Sequence, residues 1–258
     1  GKSKKKECRE IYSEFFKKFA SPPKEIRDFY MRSCWVWGQI LTEDKKFLEA
    51  AKIYERILSM LDKRRDSDAD MWCNLACETA ERYLRVAGEK TNVKDRAPLL
   101  ASAKKLVNQL LWERGRPVYF GKAIAMKASI ELLNGNVKKA KETIDEYLEQ
   151  LVSIHNALLQ HDPEGTQGLL KLSPLPLCLY MRAEMLWKEA LNIASKKPRD
   201  DEAIKSLLFG EKKRNGKGRD GKGAFNYSIN VFVKYPESSW AVPAGELSEA
   251  IKNFAVKE

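Results

Sequence analysis

Apolar residues recur every three or four positions along most of this chain, which is the spacing of amphipathic helices. Residues 45–62 are typical, because Phe47, Ala50, Tyr54 and Ile57 fall on one side of a helix and charged residues fill the other. Strand-like alternation is almost absent, so the pattern predicts an all-α protein. The predicted helices span about 7–20, 25–42, 45–62, 69–87, 97–113, 118–133, 136–160, 175–195 and 200–209, with a final hairpin that breaks at Tyr235-Pro236.

Two stretches about ninety residues apart share one pattern of small and bulky residues. In the first, Gly38 is followed twelve residues later by Ala50 and then, one helical turn on, by Tyr54. The same spacing relates Ala128, Ala140 and Ile144. Small residues at these positions let two antiparallel helices approach closely, and such pairs stack because one pair alone cannot bury its apolar face. We therefore expect an α-α superhelix of about five stacked helix pairs, forming a single domain over residues 1–258.

This spacing resembles the tetratricopeptide repeat family, in which a small residue of the first helix is followed by an alanine and a bulky residue in the second. The C-terminal segment around Tyr235 and Pro236 is also similar to the repeat unit of bacterial envelope proteins, such as the lipoprotein component of outer-membrane assembly machinery. Those proteins are adaptors without catalysis. The resemblance covers about two thirds of the chain. It implies a non-enzymatic adaptor or scaffold that holds a partner peptide or helix on its concave face.

The resemblance also implies a periplasmic or outer-membrane-associated location, and the cytoplasm is the alternative. Gly1 is interpreted as the residue left after cleavage of a tag, so a natural signal peptide ahead of it stays open.

The first helices of the pairs are expected to form the concave, protein-binding wall. Trp35 and Trp37 lie about 200° apart around a helix, so both cannot face the core equally. Either one of them anchors a bound peptide, or large aromatics of this kind fill gaps between stacked pairs. The predicted protein-binding residues are Arg32, Trp35, Gln39, Asn74, Lys127, Glu131, Arg182 and Lys188.

The net charge of +11 is concentrated in two regions, residues 1–27 and residues 196–222, while the remainder is close to neutral. Within the second region, the glycine-rich stretch 210–223 is predicted to be a mobile basic loop. Two interpretations of its charge stay open: a solubilising loop, or binding of an anionic surface, phospholipid or RNA, together with residues 1–6. The anion-binding residues would be Lys212, Lys213, Arg214, Lys217, Arg219 and Lys222.

Catalytic and metal-binding chemistry has no supporting motif in the sequence. His155 and His161 are six residues apart and would face different sides of a helix. The five cysteines form no C-x-x-C pair and are interpreted as small buried hydrophobes. Glutamates on the inner wall, such as Glu131 and Glu184, are expected to form surface ion pairs. We therefore predict a protein that is not an enzyme, with no metal and no small-molecule cofactor, whose partner is a protein or peptide.

Overall fold

The computed structural model describes residues 2–19, 24–62, 66–213 and 218–256. These ranges contain twelve α-helices, two short 3₁₀ turns at Lys24–Ile26 and Leu169–Leu172, and no β-strand. The prediction of an all-α protein is confirmed. The helices are α1 (Lys2–Lys18), α2 (Arg27–Glu43), α3 (Phe47–Met60), α4 (Asp66–Glu89), α5 (Val93–Leu110), α6 (Pro117–Leu133), α7 (Val137–Glu146), α8 (Leu148–His161), α9 (Leu175–Ala194), α10 (Asp201–Phe209), α11 (Ala224–Lys234) and α12 (Ala241–Val256).

The chain divides into two compact units, residues 1–134 and residues 135–258. Unit 1 contains α1 to α6 and unit 2 contains α7 to α12. The boundary falls in the turn between α6 and α7, so the second predicted hairpin, with Ala128 and Ala140, has one helix in each unit. The pairing of those two helices and the single domain over 1–258 therefore stay predictions.

In unit 1 each helix from α2 to α5 packs against the next one in the chain, and α4 also contacts α6. Two apolar clusters hold these helices together. One gathers α1, α2 and α3 around fully buried Tyr30 and Tyr54, and the other gathers α3 to α6 around Ala76, Val107 and Ala123. Because α3 contributes to both clusters, it joins the first helices of the unit to the rest.

The close approach of α2 and α3 follows from the small residues that the sequence places there. Gly38 is buried, and a Cβ atom added to it would lie only 2.6 Å from Cζ of Tyr54. Ala50 and Tyr54 are almost completely buried on α3. The predicted hairpin with Gly38, Ala50 and Tyr54 at its interface is confirmed.

Unit 2 is built around α9, which contacts α7, α8, α10, α11 and α12. Its apolar cluster includes Leu186 and Ala190 of α9, Leu208 of α10, Ala224 of α11 and Ile251 of α12. The C-terminal hairpin is also confirmed, since α11 and α12 pack together on either side of the predicted break.

Two segments differ from the sequence-based expectation. Residues 87–98 were expected to form a loop, but α4 continues to Glu89 and α5 begins at Val93. The side chain of Asn92 accepts a hydrogen bond from the amide of Lys94, so Asn92 caps α5 and Pro98 lies inside the helix. The single helix expected at 136–160 is broken at Tyr147 into α7 and α8. The helix break expected at Ser21-Pro22-Pro23 lies outside the described residues.

Within the described ranges, none of the helices combines the length and the apolar character that crossing a membrane requires.

Candidate functional site

Helix α2 has two faces with different environments. Its buried face carries Tyr30, Cys34 and Leu41, spaced by four and seven residues, against α1 and α3. The opposite face carries Arg32, which is exposed, and Trp35, which is partly covered. Such spacing on a helix aligns side chains into a stripe. This second stripe forms one wall of a groove.

The groove has a volume of about 840 Å³ and lies entirely within unit 1. Helices α2, α4 and α6 supply most of its lining, and α3 adds one residue. The lining residues are Asp28, Met31, Arg32, Trp35, Val36, Ile57, Asp70, Met71, Asn74 and Tyr119.

The groove exposes apolar side chains that no other described element covers. Val36 is 39% exposed and Met71 is 51% exposed, while Met31 and Trp35 are partly buried beside them. Contiguous exposed apolar surface bordered by polar residues marks a binding surface. The two methionines add adaptability, because an unbranched thioether side chain fits partners of different shape.

The two tryptophans of α2 have different roles. Trp35 lines the groove and packs against Tyr54, with 5.7 Å between the ring centroids. Trp37 stacks on Tyr12 of α1, at 5.8 Å and an interplanar angle of 12°. Of the two, Trp35 is therefore the one available to a ligand of the groove, and Trp37 attaches α1 to α2.

Charges of both signs line the groove. Arg116 donates a hydrogen bond of 2.6 Å to the carboxylate of Asp70. Asp28 and Arg32 are exposed, and within the described residues neither takes part in an ion pair. Burial, followed by the negative charge of Asp70, raises the pKa of Tyr119, so its phenol stays neutral and can donate a hydrogen bond.

Three of the predicted protein-binding residues, Arg32, Trp35 and Asn74, come together in this groove. Gln39 is exposed on α2, one turn beyond Trp35, and is not part of the lining. The lining residues that sequence reasoning missed on α2 are Asp28, Met31 and Val36. Asp28 and Met31 lie seven and four residues before Trp35, and Val36 lies four residues after Arg32, so helical spacing was the available signal.

The other predicted protein-binding residues lie elsewhere. Lys127 and Glu131 are half-buried on α6 and do not line the groove. Arg182 and Lys188 belong to unit 2. Arg182 is largely buried and donates a hydrogen bond of 2.9 Å to Asp145 of α7, so it connects α9 to α7. Lys188 is exposed and lies 3.7 Å from Glu184, four residues earlier on α9.

Hydrogen bonds hold the described part of the basic loop, residues 210–213 and 218–223, and the predicted mobility of the loop stays a prediction. Asp220 donates its amide to the carbonyl of Glu211, and an antiparallel bridge pairs Lys212 with Arg219. Arg219 also donates a 2.7 Å hydrogen bond to the carbonyl of Gly210. These hydrogen bonds hold residues 210–213 against residues 218–220, just after the end of α10.

Glu202 of α10 neutralises part of this loop. Its carboxylate lies 3.2 Å from Lys212 and 2.9 Å from Arg219, and these partners, Lys212 first, lower the pKa of Glu202. Two of the six predicted anion-binding residues are thus already paired. Lys213 and Lys222 are exposed, whereas Arg214 and Lys217 lie outside the described residues, as do the side chains of residues 1–5.

The interpretation of the cysteines as small buried residues is confirmed for the four that are buried, and it is wrong for Cys8, which is exposed on α1. Burial raises the pKa of Cys34 to about 11 and that of Cys77 and of Cys178 to about 12, so these side chains stay protonated thiols at neutral pH. Among the described residues, no three histidine, cysteine or acidic side chains cluster as metal ligands would.

His155 is predicted to make the stability of unit 2 depend on pH. Its Nδ1 lies 3.0 Å from Oγ of Ser173, and its ring meets the Tyr235 ring edge-on at 4.8 Å. Burial lowers the pKa of His155 from its ordinary value of 6.5. Below pH 6.5 His155 therefore binds a proton more readily in the unfolded chain than in the folded protein. The free energy of unfolding should fall as the pH decreases through this range, and be insensitive to His155 above it.

Urea unfolding of the wild type and of His155→Gln at about pH 7.5 and about pH 5 tests this prediction. The His155→Gln variant should lose less stability between the two pH values than the wild type does. His161→Gln, at an exposed position, is the matched control and should retain the wild-type difference. An equal loss of stability in all three proteins would contradict the prediction.

Comparisons with family models, with curated proteins and with solved structures find no significant match to this chain. The groove of unit 1 is therefore interpreted from its own residues.

Proposed function

We propose that this protein is a non-enzymatic adaptor that holds a peptide or helix of a partner protein in the groove of unit 1. The observation that carries the proposal is the uncovered apolar lining of that groove, with Val36 and Met71 exposed beside Trp35. Interface energy is concentrated in a few large side chains in water-excluding pockets, and a partly covered tryptophan is a common anchor.

The chemistry of the lining indicates what the partner segment carries. A groove with Met31, Val36 and Met71 along its apolar surface suits two or three bulky aliphatic or aromatic side chains on one face of the segment. Asp28 and Arg32 at the exposed side of α2 favour a basic and an acidic residue, respectively, next to that apolar face. These rim charges would set the orientation and the association rate more than the affinity.

A tetratricopeptide-type superhelix is part of the proposal. Its support is the sequential packing of α2 to α6, in which each helix contacts the next and the alternate helices α4 and α6 also touch. In such an arrangement the first helices of successive pairs share one wall, and α2, α4 and α6 are the helices that line the groove. A location in the bacterial cell envelope is also part of the proposal, and it rests only on the resemblance to envelope repeat proteins.

Selection from a displayed library of random peptides of about 14 residues, followed by titration of the selected peptide, tests the proposal. We expect the selected peptides to share bulky apolar residues at helical spacing. Val36→Asp should weaken their binding about tenfold or more, because a carboxylate in the groove must be desolvated when the peptide binds. The matched control is Val93→Asp, which places the same charge on an exposed valine of unit 1 that does not line the groove.

Circular dichroism of both variants establishes that the folds are equivalent, since both valines are exposed. Equal affinity of Val36→Asp and Val93→Asp for the selected peptides would remove the groove as the binding site. Failure to select any peptide with a shared apolar pattern would remove the proposed function itself.

A further inference from the structure

Trp112 is the most exposed large apolar side chain in the described part of the chain, at 87%. It follows the end of α5, in the turn that leads to α6, where its amide donates to the carbonyl of Gln109. No ring contact or cation–π contact involves Trp112 among the described residues. Tryptophan side chains are normally well buried, so a tryptophan this exposed indicates a surface that contacts a membrane or another molecule.

Three exposed basic residues flank this tryptophan in the chain. Lys104 and Lys105 are exposed on α5, eight and seven residues before it, and Arg114 is exposed two residues after it. Within the described ranges none of these three cations is in an ion pair. The acidic residues near the turn are occupied, because Arg116 binds both Asp70 and Glu113, at 2.6 and 3.4 Å.

The chemistry of this surface matches the interface of an anionic bilayer better than it matches a protein. A protein interface needs a continuous apolar centre. Here the position one turn before Trp112 is Asn108, and the next turn holds Lys104 and Lys105, so the indole is a single apolar group in a cationic field. Indole rings concentrate at the headgroup level of membranes, and each nearby lysine adds attraction to anionic lipid.

We propose that the surface formed by Trp112, Lys104, Lys105 and Arg114 binds the headgroup region of anionic lipid bilayers. This surface shares no residue with the groove lining, and it differs from the basic loop, for which anionic contact was one of two interpretations. In that loop Glu202 already pairs with Lys212 and Arg219. Around Trp112, the three cations have no such partner.

The test is co-sedimentation of the full chain with phosphatidylglycerol vesicles and with phosphatidylcholine vesicles at low salt. We expect binding to the first only, and its loss at high salt. Lys104→Ala combined with Lys105→Ala should weaken partitioning by about 30-fold, from roughly fivefold per lysine. Trp112→Ala should weaken it about tenfold or more, because the indole loses its apolar burial.

Phe29→Ala is the matched control, since Phe29 is also an exposed aromatic residue of unit 1, at 63%, and belongs to α2 rather than to this turn. It should bind vesicles as the wild type does. Absence of binding to phosphatidylglycerol, or equal binding by wild type and Trp112→Ala, would overturn the proposal. Binding to polyglutamate that depends on Trp112, with no binding to vesicles, would also overturn it and would indicate an acidic protein as the partner.

Discussion

Replacing Gly38 with alanine should destabilise unit 1 by about 2 kcal/mol, because α2 and α3 approach too closely for a Cβ atom at this position. The added atom would lie 2.6 Å from Cζ of Tyr54, well inside van der Waals contact. Either the helices separate or the Tyr54 ring moves. Both changes disturb an apolar cluster in which Tyr54 and Ala50 are almost completely buried.

The ring of Tyr54 has little freedom to move aside. Trp35 packs against it at a centroid distance of 5.7 Å, and the guanidinium of Arg82 lies 4.8 Å from its centroid. Arg82 is itself fixed, because it donates to Oγ1 of Thr42 at 3.0 Å and to the carboxylate of Glu78 at 2.6 Å. The strain would therefore spread to α4 and to Trp35 in the groove.

Thermal and urea unfolding measure this prediction, with Gly88→Ala as the matched control. Gly88 is exposed near the end of α4, and a Cβ atom there meets only a methyl group of Leu133, at an ordinary 3.9 Å. Alanine at Gly88 should be neutral or stabilising by up to about 1 kcal/mol, since alanine favours helices over glycine. Equal stability of the two variants would show that the α2–α3 contact is looser than the structure indicates.

The α2–α3 interface was predictable from sequence because it depends on residue size at fixed spacing. Gly38, Ala50 and Tyr54 are informative on their own, since a glycine in mid-helix is unfavourable unless something packs against it. The groove was predictable in part for the same reason. Trp35 and Arg32 lie on the side of α2 opposite its buried stripe, so their exposure follows from helical periodicity.

Other features depended on tertiary contacts that periodicity does not report. The break between α7 and α8 at Tyr147 has neither a proline nor a glycine to announce it. The start of α5 was predicted near residue 97, whereas Asn92 caps the helix five residues earlier. Arg182 looked like a surface residue of a first helix, yet an ion pair with Asp145 on another helix holds it in place.

The ion pairs of the basic loop are a further feature that composition does not report. Glycine and like charge at residues 210–223 favour a mobile segment when only the loop is considered. Glu202, which lies on the preceding helix, changes that balance by binding Lys212 and Arg219 together. The ends of the loop are also fixed by packing of main chain on main chain, at Gly210 and Gly223.

Replacing Gly223 with alanine should destabilise unit 2 by about 3 kcal/mol or more. Gly223 is the N-cap of α11, with a φ of −88°, so alanine can adopt its backbone conformation. The conflict is one of space, because the new Cβ atom would overlap the main-chain carbonyl of Leu208 and the amide nitrogen of Gly210. Main-chain atoms cannot turn away as a side chain can. The end of α10 would have to shift and lose the hydrogen bond from Gly210 to Ser206.

Two measurements distinguish this effect from a general loss of stability. Urea unfolding gives the change in free energy, and limited trypsin digestion reports the opening of the basic loop, because Lys212, Lys213 and Lys222 are cleavage sites that the hairpin restrains. Gly223→Ala should unfold at a lower urea concentration and be cleaved faster between α10 and α11.

Gly115→Ala is the control, since a Cβ atom there meets nothing within 4 Å, and both readouts should match the wild type. Wild-type stability and wild-type cleavage of Gly223→Ala would show that α10 and α11 are not joined through these two glycines.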